Sequence, residues 1–259
     1  MNGHAVPTTA RERLAREQQQ RERRRRQLQA AGGAIVAVLL VAVVVVVVGA
    51  SGRAGGPSTA ADTARDTSST TPRNTEGPAI PVGSGNAPVI VDVFYDYLCP
   101  YCADFEAANG AELDALVEEG VVQLNLRPLS FLDRASSGTQ YSTRAANAVA
   151  TVADSAPDRV LDFHAALFAS QPIEGGAGHT DDELADLAVA AGVPQDTAAR
   201  FAEGAYATWV ADVTQHAFDS DGITGTPTVR VDGVVFDGNL YAPGDLTEAV
   251  RAAAGRSDR

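Results

Sequence analysis

Lysine is missing from this 259-residue chain; all 20 of its basic residues are arginines. With abundant alanine, valine and glycine, that bias reflects GC-rich coding rather than chemistry. Cysteine is nearly missing too: Cys99 and Cys102 are the only two. A pair three residues apart cannot staple distant segments, which excludes a framework of stabilising disulfides. Zinc takes about four ligands. A second C-x-x-C is absent, and His4, His164, His179 and His216 show no ligand spacing to the pair. The bland alternatives are a zinc site borrowing two distant histidines, or two inert core thiols. Internal repeats are absent as well, which excludes a solenoid.

Positive charge is scarce in the part that can fold. Residues 88–259 hold nine Arg against 27 acidic residues, whereas residues 1–33 hold eight Arg and three Glu; the whole chain stands at −13. An acidic domain repels phosphate backbones, so nucleic acid is excluded as a partner.

Charge of either sign is missing between Arg26 and Arg53, and the heart of that gap is "AIVAVLLVAVVVVVVGA", residues 34–50. A membrane span needs about 20 apolar residues. Polar flanks on both sides exclude a buried core helix. The excess of arginine before the run makes residues 1–33 a basic cytoplasmic tail and residues 34–50 a transmembrane helix, with everything after it outside the cell. A cleaved signal peptide with a small-residue site near Ala50 is the rival, but its lead of 33 residues would be long. "RRRQLQ" is a poor twin-arginine signal, and no cysteine closes the run to carry a lipid.

Residues 51–87 are poor in large apolar side chains, Ile80 and Val82 apart, and rich in Ser, Thr, Gly, Pro and Ala. Such a stretch cannot offset its ordering entropy. It reads as a flexible tether with a reach of roughly 30–35 Å, touching the domain edge at most through "AIPVG".

What is present begins at residue 88. "APVIVDVFYDY" (87–97) is β-branched, aromatic and mostly apolar on both faces, a buried strand. "PYCADFEAANGAELDALVEEG" (100–120) has apolar residues at helical spacing, Pro100 at the first helical position and Gly120 at the stop. "VVQLNLRPL" (121–129) is a second strand, so the three imply a parallel crossover. Residues 134–218 read as a block of helices. One of these opens on a capping box, Thr180 to Glu183. "TPTVRVDGVVFDG" (226–238) is a hairpin about Asp232-Gly233, and "PGDLTEAVRAAAG" (243–255) is a closing helix. The expected class is α/β.

Cys99 falls where the first strand ends and the helix begins. Unpaired N–H groups and the helix dipole favour an anion there. A thiol pKa of about 8.5 falls to roughly 3.5–7.5 in such places. Cys102, one turn on, is close enough to form a small disulfide with it, and an extracytoplasmic site permits one. C-x-x-C alone is a moderate signal; C-P-Y-C at a strand-to-helix junction outside a membrane is a strong one.

"FYDYLCPYC" (94–102), "GTPT" (225–228) and the 128 positions between Cys99 and Pro227 together resemble the DsbA-like branch of the thioredoxin-fold disulfide oxidoreductases. The resemblance covers residues 88–255. It implies a thioredoxin fold with a helical insertion between the β-α-β half and the β-β-α half. It further implies that Cys99 and Cys102 are catalytic, and that Thr226, a cis Pro227, Pro100 and Tyr101 form the peptide-binding surface. No cofactor is required. The implied partners are reduced secreted proteins and a membrane oxidase of the DsbB or vitamin-K-epoxide-reductase type. A tethered reductase or isomerase, or a non-catalytic peptide-binding module, would use the same groove. Many relatives carry a carboxylate six residues before the first cysteine, where this chain has Val93. Asp92 points to the other sheet face. Asp96, three before Cys99, matches this branch and reads as a solvated loop acid, a turn residue or a tuner of charge. His164 reads as an ordinary helix residue.

Overall fold

A computed structural model describes residues 70–257. The basic tail, the apolar run at 34–50 and the first part of the tether lie outside the described residues. Among the described residues, no helix is long and apolar enough to cross a membrane.

The elements follow in the order β1 (Ile80–Val82), β2 (Val89–Tyr95), α1 (Pro100–Glu118), β3 (Val122–Pro128), α2 (Tyr141–Ser155), α3 (Val160–Ala169), α4 (Asp181–Ala190), α5 (Gln195–Ala198), α6 (Ala207–Asp219), β4 (Thr228–Val231), β5 (Val234–Val235) and α7 (Asp245–Ser257). They build one five-stranded sheet in the order β1-β3-β2-β4-β5. β2 runs parallel to β3, with Val93 opposite Leu126, and antiparallel to β4, with Val93 opposite Val229. β2 is therefore central, and its apolar character on both faces follows: only Ile90 is exposed. Asp232 and Gly233, both at positive φ, make the tight turn between β4 and β5 that the sequence signals. Gly120, at φ +72, ends the region of α1 as expected.

The tether ends sooner than the composition of 51–87 implies. β1 pairs antiparallel with β3 and Ile80 is buried. Upstream, Arg73 grips Asp154 of α2 through its backbone N–H (2.9 Å), Nε (3.1 Å) and Nη2 (3.0 Å). Sheet pairing and a fork of charged hydrogen bonds offset the ordering entropy that composition alone leaves uncovered.

The helical block α2 to α6 lies between β3 and β4 in the chain, where the extra length was expected. α2 is its axis: twelve of its fifteen residues are buried, most of them alanine or small, so neighbouring helices pack closely. Asn147 of α2 donates to the Phe201 carbonyl (3.0 Å) and accepts from the Tyr206 N–H (2.8 Å). The Thr180–Glu183 capping box is formed at the start of α4. Tyr206 and Trp209 are buried in the core.

Candidate active site

β2 delivers the chain to the top of the sheet, and α1 starts there. Cys99 is the N-cap of α1, with extended backbone (φ −78, ψ 115), and Pro100 takes the first helical position. The Cys102 and Ala103 N–H groups bond to the Cys99 carbonyl at 3.0 and 3.4 Å. Both cysteines are free thiols; Cys99 is 5% exposed and Cys102 1%.

The Thr226–Pro227 bond is cis. The Thr226 carbonyl lies 3.4 Å from the Cys99 Sγ, which donates to it. So the far end of the helical insertion closes over the motif, 127 positions along the chain. Pro100 and Tyr101 sit on the outer face beside it. Tyr101 is 63% exposed and its ring lies 6.3 Å from that of half-exposed Tyr241, in a tilted pair.

The two thiols are driven apart in acidity. Cys99 is lowered from the ordinary 9.0 to about 6. The largest cause is a hydrogen bond from the Cys102 thiol; burial opposes it; the Thr226 side chain and the N–H groups of Cys102 and Tyr101 add to it. Cys102 is raised well above its ordinary value, first by burial and then by its hydrogen bond to Cys99 and the charge there. One thiol is thus set to be a thiolate near neutral pH while the other stays protonated and donates to it. That asymmetry suits nucleophilic attack and departure at Cys99.

Asp96 corrects an expectation. It is not a solvated acid: its exposure is 0%. Its Oδ1 accepts from the Leu98 N–H (2.9 Å) and the Ser142 hydroxyl (2.6 Å), and its Oδ2 from the Leu132 N–H (2.9 Å). Burial raises its carboxyl to about 6 against those three bonds, and the Cys99 charge adds to the rise. Asp96 therefore ties the loop before Cys99 to the insertion. Gln171, just after α3, does the same from the other side, donating to the Tyr97 and Cys99 carbonyls at 3.1 and 2.9 Å. No local signal marks Gln171, because its partners lie more than seventy positions away.

His164 is a helix residue, as expected, but a buried and bonded one. Its Nδ1 meets the Tyr97 hydroxyl at 2.9 Å, and its Nε2 meets Glu106 Oε2 of α1 at 3.3 Å. Asp92 does face the other side of the sheet, accepting from Arg127 Nε at 2.7 Å and Asn125 Nδ2 at 3.1 Å. Among the described residues, no three His, Cys, Asp or Glu side chains are grouped to hold a metal ion.

With this geometry in view, the likeness to known proteins is specific. The family model described as Thioredoxin matches residues 75–250. Oxidised DsbA of Mycobacterium tuberculosis is 31% identical, with 68% of this chain and 93% of that one covered and a TM-score of 0.60. The disulfide bond oxidoreductase DsbG from M. tuberculosis is 29% identical (71% and 95% covered, TM-score 0.59). The thiol-disulfide oxidoreductase MdbA from Actinomyces oris is also 29% identical (70% and 89% covered, TM-score 0.60). The chain belongs to the thioredoxin family, in its DsbA-like class of thiol-disulfide oxidoreductases. It also matches the serine/threonine-protein kinase PknE of M. tuberculosis, at 38% identity over 115 residues. That match covers 43% of this chain and only 20% of the kinase, so the chain spans a fifth of that relative's length.

Proposed function

We propose that this protein is an extracytoplasmic disulfide donor for secreted proteins, held at the membrane by residues 34–50 and acting through Cys99 and Cys102. The observation that carries the reading is the geometry of the pair: Cys99 caps α1 at 3.4 Å from the Thr226 carbonyl beside the cis Pro227, with Cys102 buried one turn behind it; the lowering of Cys99 to about 6 and the raising of Cys102 agree with it. In the oxidised protein a substrate thiolate attacks the Cys99 Sγ, and the Cys99–Cys102 bond breaks. A second substrate thiolate attacks the substrate sulfur of the mixed disulfide, and Cys99 leaves. A leaving thiol of low pKa leaves faster, so this arrangement favours giving a disulfide away. Thr226, Pro227, Pro100 and Tyr101 border Cys99 and would seat the substrate peptide. The two electrons gained would pass to a membrane oxidase of the DsbB or vitamin-K-epoxide-reductase type. The 1–33 tail would then be cytoplasmic, and the segment up to about residue 72 the tether.

Refolding of a reduced, unfolded secreted protein tests this reading. The oxidised full-length protein should restore its disulfides stoichiometrically, and Cys99→Ser should abolish the transfer. Transfer surviving in Cys99→Ser would contradict a catalytic role and favour a peptide-binding module.

A further inference from the structure

Two large aromatic rings stay in solvent beside the nucleophile. Tyr101 follows Pro100 in the first turn of α1. Tyr241 comes from the loop between β5 and α7, and α1 holds that loop at two points. The amide of buried Asn109 donates to the Leu240 carbonyl at 2.8 Å, and Glu112 Oε2 accepts from the Gly244 N–H at 3.1 Å. The Tyr241 N–H is taken by Asn239 Oδ1 at 3.0 Å. Both rings are therefore mounted on α1, one directly and one through hydrogen bonds. Their centres lie 6.3 Å apart with the planes at 48°. Ring faces at that spacing and angle can both lie within about 6 Å of a single cation, the range of cation–π attraction.

The charge around the pair is of one sign. Asp104 stands three residues after Tyr101, a neighbour on the helix surface with Cβ atoms about 5–6 Å apart. It is exposed, and no cation pairs with it among the described residues. The Tyr241 phenol is raised, first by burial and then by the charges of Cys102, Cys99, Tyr101 and Asp104. All four of these sources are negative. An acidic side chain brought to this place is repelled. A plain apolar one gains from the rings and nothing from Asp104. A guanidinium or an ammonium gains from both, by lying on the ring faces and by pairing with the carboxylate.

We propose that Tyr101, Tyr241 and Asp104 form a subsite for a basic side chain, so that the preferred substrates are protein cysteines with an arginine or lysine immediately before or after them. This rests on disulfide donation by Cys99 and Cys102 and names its substrate class. The basic side chain is held on the rings while its neighbouring thiolate attacks the Cys99 Sγ. The Cys99–Cys102 bond breaks and Cys102 takes the electron pair. A second substrate thiolate then attacks the substrate sulfur, and Cys99 leaves. Two substrate thiols are oxidised to one disulfide, and the active-site disulfide is reduced to two thiols.

Pairs of single-cysteine peptides of identical composition test the subsite. One member has arginine beside the cysteine and leucine far from it; in the other the two are exchanged. Pairs are made for either side of the cysteine. Each peptide, in excess, reduces the oxidised full-length protein, and reduced protein is counted by mass after acid quench and alkylation. Each rate is divided by that peptide's rate with hydroxyethyl disulfide, which removes the effect of arginine on the peptide's own thiol. Because net charge is the same within a pair, general attraction to an acidic domain gives a ratio of one. Arginine beside the cysteine should react at least about threefold faster than leucine there, on one side or both. Tyr241→Leu, which keeps apolar bulk and removes the ring, should bring the ratio near one, and Asp104→Asn should lower it about twofold. A wild-type ratio below about threefold on both sides would overturn the proposal, as would a ratio that either substitution leaves unchanged. Failure of every peptide to reduce the wild-type disulfide would instead overturn the disulfide-donor reading itself.

Discussion

At pH 7 the reduced protein is expected to react with iodoacetamide at Cys99 and not at Cys102. With Cys99 lowered to about 6, about nine-tenths of it is thiolate at neutrality, against roughly one-hundredth for a thiol at its ordinary value. Cys102, raised well above that value, is less ionised still. The thiolate is the nucleophile, so the two rates should differ by about a hundredfold or more, and Cys99 labelling should titrate with a midpoint near pH 6. Mass mapping of the labelled residue checks both points. The direction of the pH effect on stability also follows. Cys99 is lower in the folded reduced protein than in the unfolded chain. Its contribution is therefore full above the unfolded thiol pKa and lost as pH falls through about 6. The oxidised protein has no such thiol. Reduced protein should gain on oxidised protein in melting temperature between pH 6 and 9, and lose that gain below pH 6. A midpoint near 9 would remove the basis for an oxidising pair.

Asp96→Ala is expected to be among the most destabilising single substitutions in the domain. It strands the Leu98 and Leu132 N–H groups and the Ser142 hydroxyl, which now end on one buried carboxyl. A buried donor left alone costs about 1–3 kcal/mol, so the loss should be about 3–5 kcal/mol at pH 4, where the acid is largely neutral in the fold. The sign of the pH effect is the reverse of that for Cys99. Burial raises Asp96 to about 6 in the fold from an ordinary 3.8. The native state therefore holds the extra proton between those values, and wild-type stability from this group falls as pH rises through them. The gap between wild type and Asp96→Ala should narrow by something on the order of 2–3 kcal/mol from pH 4 to pH 7. Denaturant unfolding at the two pH values measures it. A loss below about 1 kcal/mol at pH 4 would mean that Asp96 does not anchor the loop.

Much of this site was legible because its signals are local. C-P-Y-C after an aromatic strand located Cys99 and Cys102. The Asp232-Gly233 pair marked the hairpin, and "GTPT" placed Pro227, whose preceding bond is cis. What stayed hidden depends on partners distant in sequence. Asp96 shows nothing of its burial, because two of its three donors, Leu132 and Ser142, arrive from the insertion. Glu106 and His164 are 58 positions apart, and each alone looks like a polar residue on a helix. β1 has only three residues, too short for a periodic pattern to stand out from a Pro- and Gly-rich tether. Periodicity reports which face of an element is buried; it does not report which element buries it.

The most direct test of the central claim, that Cys99 and Cys102 form an oxidising pair, is the reduction potential of that pair at equilibrium with a glutathione buffer at pH 7. A stabilised Cys99 thiolate favours the reduced form and predicts a potential above about −200 mV, on the disulfide-donating side of the glutaredoxins. A value near the roughly −270 mV of thioredoxin would contradict it and make the protein a tethered reductase.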